Sequence, residues 1–304
     1  MKQIGKTLKA VAALAMLALV ALPGAAAEKK SGYVKTNGLE YYYEISGSGE
    51  PLLLLHGGLG STDMFAPVMP ALTDHRTVIA VDLHGHGRTA LGTRKIDLVA
   101  IGRDMGVVLG KTGFSQVDVL GYSFGGGVAL QLAAQHPEKV RRLVLVSAGF
   151  SDAGFFPDIR EQQNAVSAQL AEQMKETPMY KSYVAVAPKP EDFPRLLQAM
   201  GDLMRGHYDY SADVKKLTSH TMIVFGDADM YRPEHVVEFY KLLGGGLRDA
   251  GWGRETMSKN RLAIIPDQTH YDIFFSPKLV ATVLPFLDGV AGSKRWEENV
   301  EAKK

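Results

Sequence analysis

Short, uninterrupted apolar runs alternate with helical stretches along most of this chain, and that alternation restricts the fold more than any other feature. The runs are Pro51-Leu52-Leu53-Leu54-Leu55, Thr77-Val78-Ile79-Ala80-Val81, Val117-Asp118-Val119-Leu120-Gly121, Leu143-Val144-Leu145-Val146, Thr221 to Phe225 and Leu262 to Ile265. A strand apolar on both faces needs cover on both faces, which is the situation of a central parallel strand. Between the runs, Leu98 to Leu109, Gly127 to His136 (stopped by Pro137) and Pro233 to Leu243 read as helices. The spacing predicts an α/β protein with a mostly parallel central sheet and helices on both faces. Its chemistry is expected beyond the carboxyl ends of the strands. Upstream, Asn37-Gly38 between aromatic and β-branched stretches predicts an antiparallel hairpin within residues 31–50.

Two segments break the alternation. From Ser151 to Lys216 the chain is rich in Gln, Ala, Met and Leu at helical spacing, which predicts a helical insertion over the sheet. Gly244 to Asn260 is rich in Gly and charge and reads as a surface excursion. The expected organisation is therefore a core of residues 28–150 and 217–292, a helical cap at 151–216 and a charged tail at 293–304. At 304 residues, 46% of them hydrophobic, there is chain enough for one large domain with an insertion. Lys plus Arg (34) nearly balance Asp plus Glu (33), so no strong field favours nucleic acid or an anionic membrane.

Residues 1–27 have the three parts of a secretory signal peptide. Lys2, Lys6 and Lys9 form a basic region, Ala10 to Leu22 an uncharged apolar one, and Ala25-Ala26-Ala27 a small-residue cleavage site. The apolar stretch falls short of the roughly 20 residues that span a bilayer, so no stable membrane anchor is expected. The mature chain is expected in a periplasm or outside the cell, slightly acidic once the three lysines are removed. The sequence has no Cys, which excludes disulfides, thiolate zinc sites, a thiol nucleophile and lipidation at a cleavage-site cysteine.

The sharpest chemical signal is Gly121-Tyr122-Ser123-Phe124-Gly125 between an expected strand and an expected helix. A turn this tight strains the serine backbone, and flanking glycines let neighbouring chains approach without a Cβ clash. The hydroxyl of Ser123 is then held at the top of the sheet, near a helix N-terminus that favours negative charge. A serine needs an oriented base to be a nucleophile. His270 lies a few residues beyond the run Leu262 to Ile265, and Asp227 and Asp229 follow Ile223-Val224-Phe225-Gly226. The chain order is Ser, Asp, His.

On these motifs the chain resembles the α/β-hydrolase family from about Tyr33 to Gly289. The family's G-x-x-D arrangement falls on Gly226-Asp227-Ala228-Asp229, which implies Asp229 as the acid; Asp227 and Asp152 are the competitors. His56-Gly57-Gly58-Leu59-Gly60 resembles the H-G loop that donates one oxyanion-hole N–H, from Gly58 or, second, Leu59. The residue after the nucleophile, Phe124, is implied as the other donor. Asp82-Leu83-His84-Gly85-His86-Gly87-Arg88-Thr89 resembles the D-x-x-G-x-G-x-S/T loop. Two histidines at that spacing fit metal ligation, but no carboxylate or third histidine is placed to complete a site, so a structural turn is expected.

The resemblance implies a serine hydrolase of the carboxylesterase type, acting through Ser123, His270 and Asp229, an acyl-enzyme intermediate and no metal or organic cofactor. The expected partner is a small apolar acyl substrate rather than nucleic acid. Phe155, Phe156, Met174, Met179, Tyr180, Tyr183, Met200 and Met204 are expected to roof its pocket or to form the cap's own core. Amide, lactone, peptide and carbon–carbon bond hydrolysis use the same framework. Relatives that open epoxides carry a carboxylate where this chain has Ser123. A hydrolase-like protein that only binds a small apolar ligand is the reading from another class, distinguished by single rather than multiple turnover.

Overall fold

A computed structural model describes residues 29–289. The expected signal segment and charged tail lie outside the described residues. The chain opens with a hairpin of β1 (Lys30–Thr36) and β2 (Leu39–Ser46). Asn37 and Gly38, at φ 47° and 79°, make the two-residue turn that right-twisted strands favour. Six further strands follow: β3 (Glu50–Leu55), β4 (Arg76–Val81), β5 (Val117–Tyr122), β6 (Val140–Val146), β7 (His220–Ala228) and β8 (Arg261–Thr269). The sheet order is β1-β2-β4-β3-β5-β6-β7-β8, antiparallel at β1/β2 and β2/β4 and parallel from β4 onward.

Side chains alternate between two cores, one on each face. Leu53, Leu55, Ile79, Val81, Val119, Leu143, Leu145, Ile223 and Phe225 face the larger core. It is closed by α2 (Leu98–Thr112), α3 (Phe124–Gln135) and α9 (Pro233–Leu242). Leu52, Leu54, Val78, Ala80, Leu120, Val144 and Val224 face the other, closed by α1 (Met69–Thr73) and α10 (Pro277–Leu287). Each buried Leu, Ile or Val contributes about 1.5–3 kcal/mol. At the amino ends of the strands, the buried Arg76 guanidinium binds Asp118 at 2.9 Å and Asp288 at 2.6 Å. Arg141 holds Asp118 from the other side at 2.8 Å. β4, β5, β6 and the end of α10 are thereby tied together at the end opposite the candidate site.

Between β6 and β7 lie α4 (Pro157–Ala165), α5 (Ala171–Met174), α6 (Pro178–Val186), α7 (Phe193–Arg205) and α8 (Ser211–Val214). Phe193, Leu196, Leu197 and Met200 of α7 enter the larger core, so the inserted helices share the core of the sheet. Residues 244–260 run as a loop from α9 to β8.

Two elements differ from the sequence expectation. The helix after Ser123 begins at Phe124, three residues early, despite Gly125-Gly126-Gly127. Close approach explains the glycines: a Cβ on Gly125 would stand 2.4 Å from the Leu55 carbonyl oxygen. β8 runs past Pro266 to Thr269, and it can because an edge strand has one ladder side without a partner.

Candidate active site

β5 delivers Ser123 to the carboxyl edge of the sheet, and α3 leaves immediately after it. Ser123 adopts φ 52° and ψ −116°, a region that costs a non-glycine residue about 1–3 kcal/mol. The conformation is held by its N–H donating to the Val146 carbonyl at 2.9 Å. Its own carbonyl accepts from the N–H groups of Gly126 (2.9 Å) and Gly127 (3.1 Å). A Cβ on Gly121 would meet the Gly125 carbonyl oxygen at 2.3 Å, so the turn closes only with glycine there.

Three residues from three strand ends meet at this point. Nε2 of His270 lies 3.0 Å from Ser123 Oγ, and Nδ1 lies 3.1 Å from Asp229 Oδ1. A carboxylate only accepts, so Nδ1 carries the proton and Nε2 offers its lone pair to the serine hydroxyl. The side chains of His270 and Asp229 are 6% and 2% exposed, which strengthens the interaction between them. Burial pushes the Asp229 carboxyl up, but the His270 hydrogen bond and charge, with the Ser147 hydroxyl, outweigh it and hold Asp229 below the ordinary carboxylate value. The Met230 N–H also donates to Oδ1, at 2.7 Å.

Asp227 and Asp152 lie outside this arrangement. Asp227 is exposed and accepts from the Gln268 N–H at 3.2 Å. Asp152 anchors the inserted helices, accepting from His207 Nδ1 at 2.9 Å and the Tyr208 N–H at 3.1 Å.

His56 organises the glycine loop. Its Nε2 accepts from the Leu83 N–H at 2.9 Å, which leaves Nδ1–H to donate to the Gly57 carbonyl at 2.7 Å. Burial drives His56 down to about 4, so the ring stays neutral. A Cβ on Gly57 would lie 3.6 Å from the Ser123 Cβ, and one on Gly58 3.8 Å from the Phe124 Cβ. The loop thus runs beside Ser123, with Gly58 next to Phe124. As the first residue of α3, Phe124 has an N–H without an intrahelical acceptor. Leu59, at φ 57°, turns the loop and packs its side chain on the larger core.

The Asp82 loop is a packed turn beneath the site. Asp82 accepts from the N–H groups of Thr62 (2.7 Å) and Arg88 (2.8 Å), and the Thr89 hydroxyl donates to the Asp82 carbonyl at 2.6 Å. His86 stacks on Phe124 with ring centroids 5.2 Å apart and buttresses that residue from below. His84 bonds the Leu91 carbonyl at 2.8 Å. Among the described residues, no group of three His, Cys, Asp or Glu could hold a metal ion.

Of the apolar residues of the insertion, Met200 reaches the glycine loop: its Cε lies 3.0 Å from where a Gly58 Cβ would be. Tyr180 and Tyr183 pack on Phe193 within the cap, Phe155 stacks on Tyr231, and Phe156 and Met179 are exposed. Two contacts of the site escape motif reading. The Tyr122 hydroxyl donates to the His270 carbonyl at 2.6 Å, and the Ser147 hydroxyl donates to Asp229 Oδ2 at 2.5 Å. The signal for Ser147 is only its place immediately after a buried strand, at the sheet edge where ligand chemistry collects.

Comparison with known proteins agrees with this fold. The model of the alpha/beta hydrolase fold family matches residues 50–178. A 2-hydroxymuconate semialdehyde hydrolase of Pseudomonas sp. (strain CF600) is 33% identical over 220 residues, 62% of this chain and 73% of that protein. Several other curated relatives are matched over only a third to about half of their own length. Among solved structures, a bacterial membrane phospholipase A superposes with a TM-score of 0.66 at 20% identity, covering 87% of each chain. The carboxylesterase CesB (YbfK) of Bacillus subtilis gives 0.63 at 20% identity over 87% of this chain and 93% of that one. Those two likenesses are of fold. With an eight-stranded sheet, a strained serine between β5 and α3, and a relative of this identity over most of its length, the chain belongs to the α/β-hydrolase family.

Proposed function

We propose that this protein is a serine hydrolase that cleaves a carboxylic ester of modest size through an acyl-enzyme. The observation that carries the reading is the continuous relay from Ser123 Oγ to His270 Nε2, and from His270 Nδ1 to Asp229, at 3.0 and 3.1 Å. Ser123 Oγ attacks the carbonyl carbon as its proton passes to Nε2. Asp229 keeps the imidazole in the required tautomer and stabilises the imidazolium. The N–H groups of Phe124 and Gly58 receive the oxyanion, each being worth about 10²–10³ in rate. Nε2 then protonates the leaving alkoxide as the carbon–oxygen bond breaks. Water, deprotonated by the same nitrogen, releases the acid and restores Ser123.

The substrate assignment rests on the apolar contact of Met200 over Gly58 and on the buried Phe124 beside it. A small apolar acyl compound suits such a lining better than nucleic acid or a charged polymer. Export belongs to the same proposal and rests on the sequence of residues 1–27; the mass of the mature chain tests it.

Carbon–carbon bond hydrolysis is the second reading, favoured by the similarity to the Pseudomonas semialdehyde hydrolase. Steady-state turnover of p-nitrophenyl acetate, butyrate and octanoate, measured beside 2-hydroxymuconate semialdehyde, decides between the two. Multiple turnover of an ester with a higher kcat/KM than the semialdehyde supports the esterase. The reverse ranking replaces it with the second reading, and a single turnover with retained product replaces both with a ligand-binding role.

A further inference from the structure

Ser147 directly follows β6, is fully buried and adopts φ 49°. An L-residue is disfavoured in the left-handed region, where Gly or Asn is the ordinary occupant. The backbone there is fixed by the Ser147 N–H donating to the Val224 carbonyl of β7 at 2.8 Å, which continues the β6–β7 pairing past the strand end. That bond needs no particular side chain. The hydroxyl acts elsewhere, donating to Asp229 Oδ2 at 2.5 Å.

The two oxygens of Asp229 are served differently. Oδ1 accepts from His270 Nδ1 and from the Met230 N–H. Oδ2 accepts the short bond from Ser147 and a long one, 3.4 Å, from the Gly226 N–H. Asp229 sits on a loop beyond β7, so its carboxylate plane is set by these bonds and not by a strand or helix backbone. Without the hydroxyl, the firm contacts all fall on Oδ1, and the plane can turn about Cβ–Cγ.

We propose that Ser147 is a positioning residue, its hydroxyl pinning Oδ2 of Asp229 so that Oδ1 is aimed at His270 Nδ1. The inference rests on Asp229 being the acid of the relay. It also accounts for a serine, with its Cβ, at a position whose backbone favours glycine. β6 and β7 are adjacent, so one strand end supports the acid that the next one carries. Misalignment of the imidazole by a fraction of an ångström degrades proton transfer while leaving the substrate pocket untouched.

Four variants of the purified mature chain test the assignment: Ser147→Ala, Ser147→Gly, Asp229→Asn and the double variant Ser147→Ala/Asp229→Asn. Ala removes the hydroxyl and keeps the Cβ; Gly removes both and relaxes the backbone. With p-nitrophenyl acetate, both single variants at 147 should lose about 10- to 100-fold in kcat with KM within about twofold of the parent. Ser147→Gly should melt no lower than Ser147→Ala, which separates the catalytic loss from folding. In the Asp229→Asn background, Ser147→Ala should change kcat less than about twofold, because the carboxylate it aims at His270 is already replaced by an amide that cannot hold the imidazole in the required tautomer. Parental kcat in both single variants, or a full multiplicative loss in the double variant, overturns the role of Ser147. Parental kcat in Asp229→Asn overturns the relay itself, and the two failures are read from different proteins.

Discussion

Lowering the pH from 7 to 5 should destabilise the fold through histidines buried in neutral form, and His235 isolates the effect. Its ring is 4% exposed and stacks on Phe150 with centroids 4.2 Å apart and planes within 14°. Among the described residues, Nε2 has no hydrogen-bond partner. Burial pushes His235 down to about 4, and pushes His56 to about 4 and His86 to about 3. In the unfolded chain each titrates near 6.5, so below that pH the unfolded state takes up protons that the native state refuses. The stabilisation is complete above pH 6.5 and is lost as the pH falls toward 4. Between pH 7 and 5 linkage gives about 2 kcal/mol for each such group, against a total of about 5–15 kcal/mol for a folded domain. His235→Phe keeps an aromatic ring against Phe150 and forfeits no bond at Nε2. Urea denaturation followed by circular dichroism at pH 7, 6 and 5 should show the variant losing about 2 kcal/mol less than the parent across that interval. The comparison is of slopes, so any cost of fitting the larger ring cancels. Identical slopes in parent and variant would refute the reasoning.

Other consequences follow from single contacts. Asp229→Asn should lower kcat by about 10⁴, whereas Asp227→Asn, which alters an exposed carboxylate outside the relay, should stay within about twofold; comparable losses in both would remove the distinction between them. Gly125→Ala places a Cβ 2.4 Å from the Leu55 carbonyl oxygen and 2.5 Å from that of His56, so thermal unfolding should show a loss of about 1–3 kcal/mol. An unchanged melting temperature would mean that the turn has room that the structure denies it. Met200→Ala removes the side chain that meets Gly58 and should raise kcat/KM for p-nitrophenyl octanoate relative to the acetate; an unaltered chain-length profile would take Met200 out of the substrate pocket.

The sheet and the motif residues were legible because each rests on a local rule. Buried parallel strands need uninterrupted apolar runs, and runs as short as Leu52 to Leu55 or Leu143 to Val146 suit a strand covered on both faces. The start of α3 was harder to read because Gly125, Gly126 and Gly127 are poor helix formers, retained for backbone contact that no local window contains. The extension of β8 past Pro266 depends on its being an edge, a property of the whole sheet order. The resemblance already implies Asp229 over Asp227 and Asp152, and the physical reason lies at the end of β7, where one carboxylate of the neighbouring pair is buried and the other stands in water. Ser147 and Tyr122 became visible only in three dimensions: each acts on a residue 82 or 148 positions away.

The most direct test of the account is covalent labelling of the folded protein with a fluorophosphonate probe, followed by peptide mass mapping. The account predicts a single adduct on Ser123 that is lost in His270→Ala, because the attack needs both the strained serine and its base. A well-folded protein that takes no label, or takes it at another residue, would contradict the claim that these three strand ends form a working nucleophile.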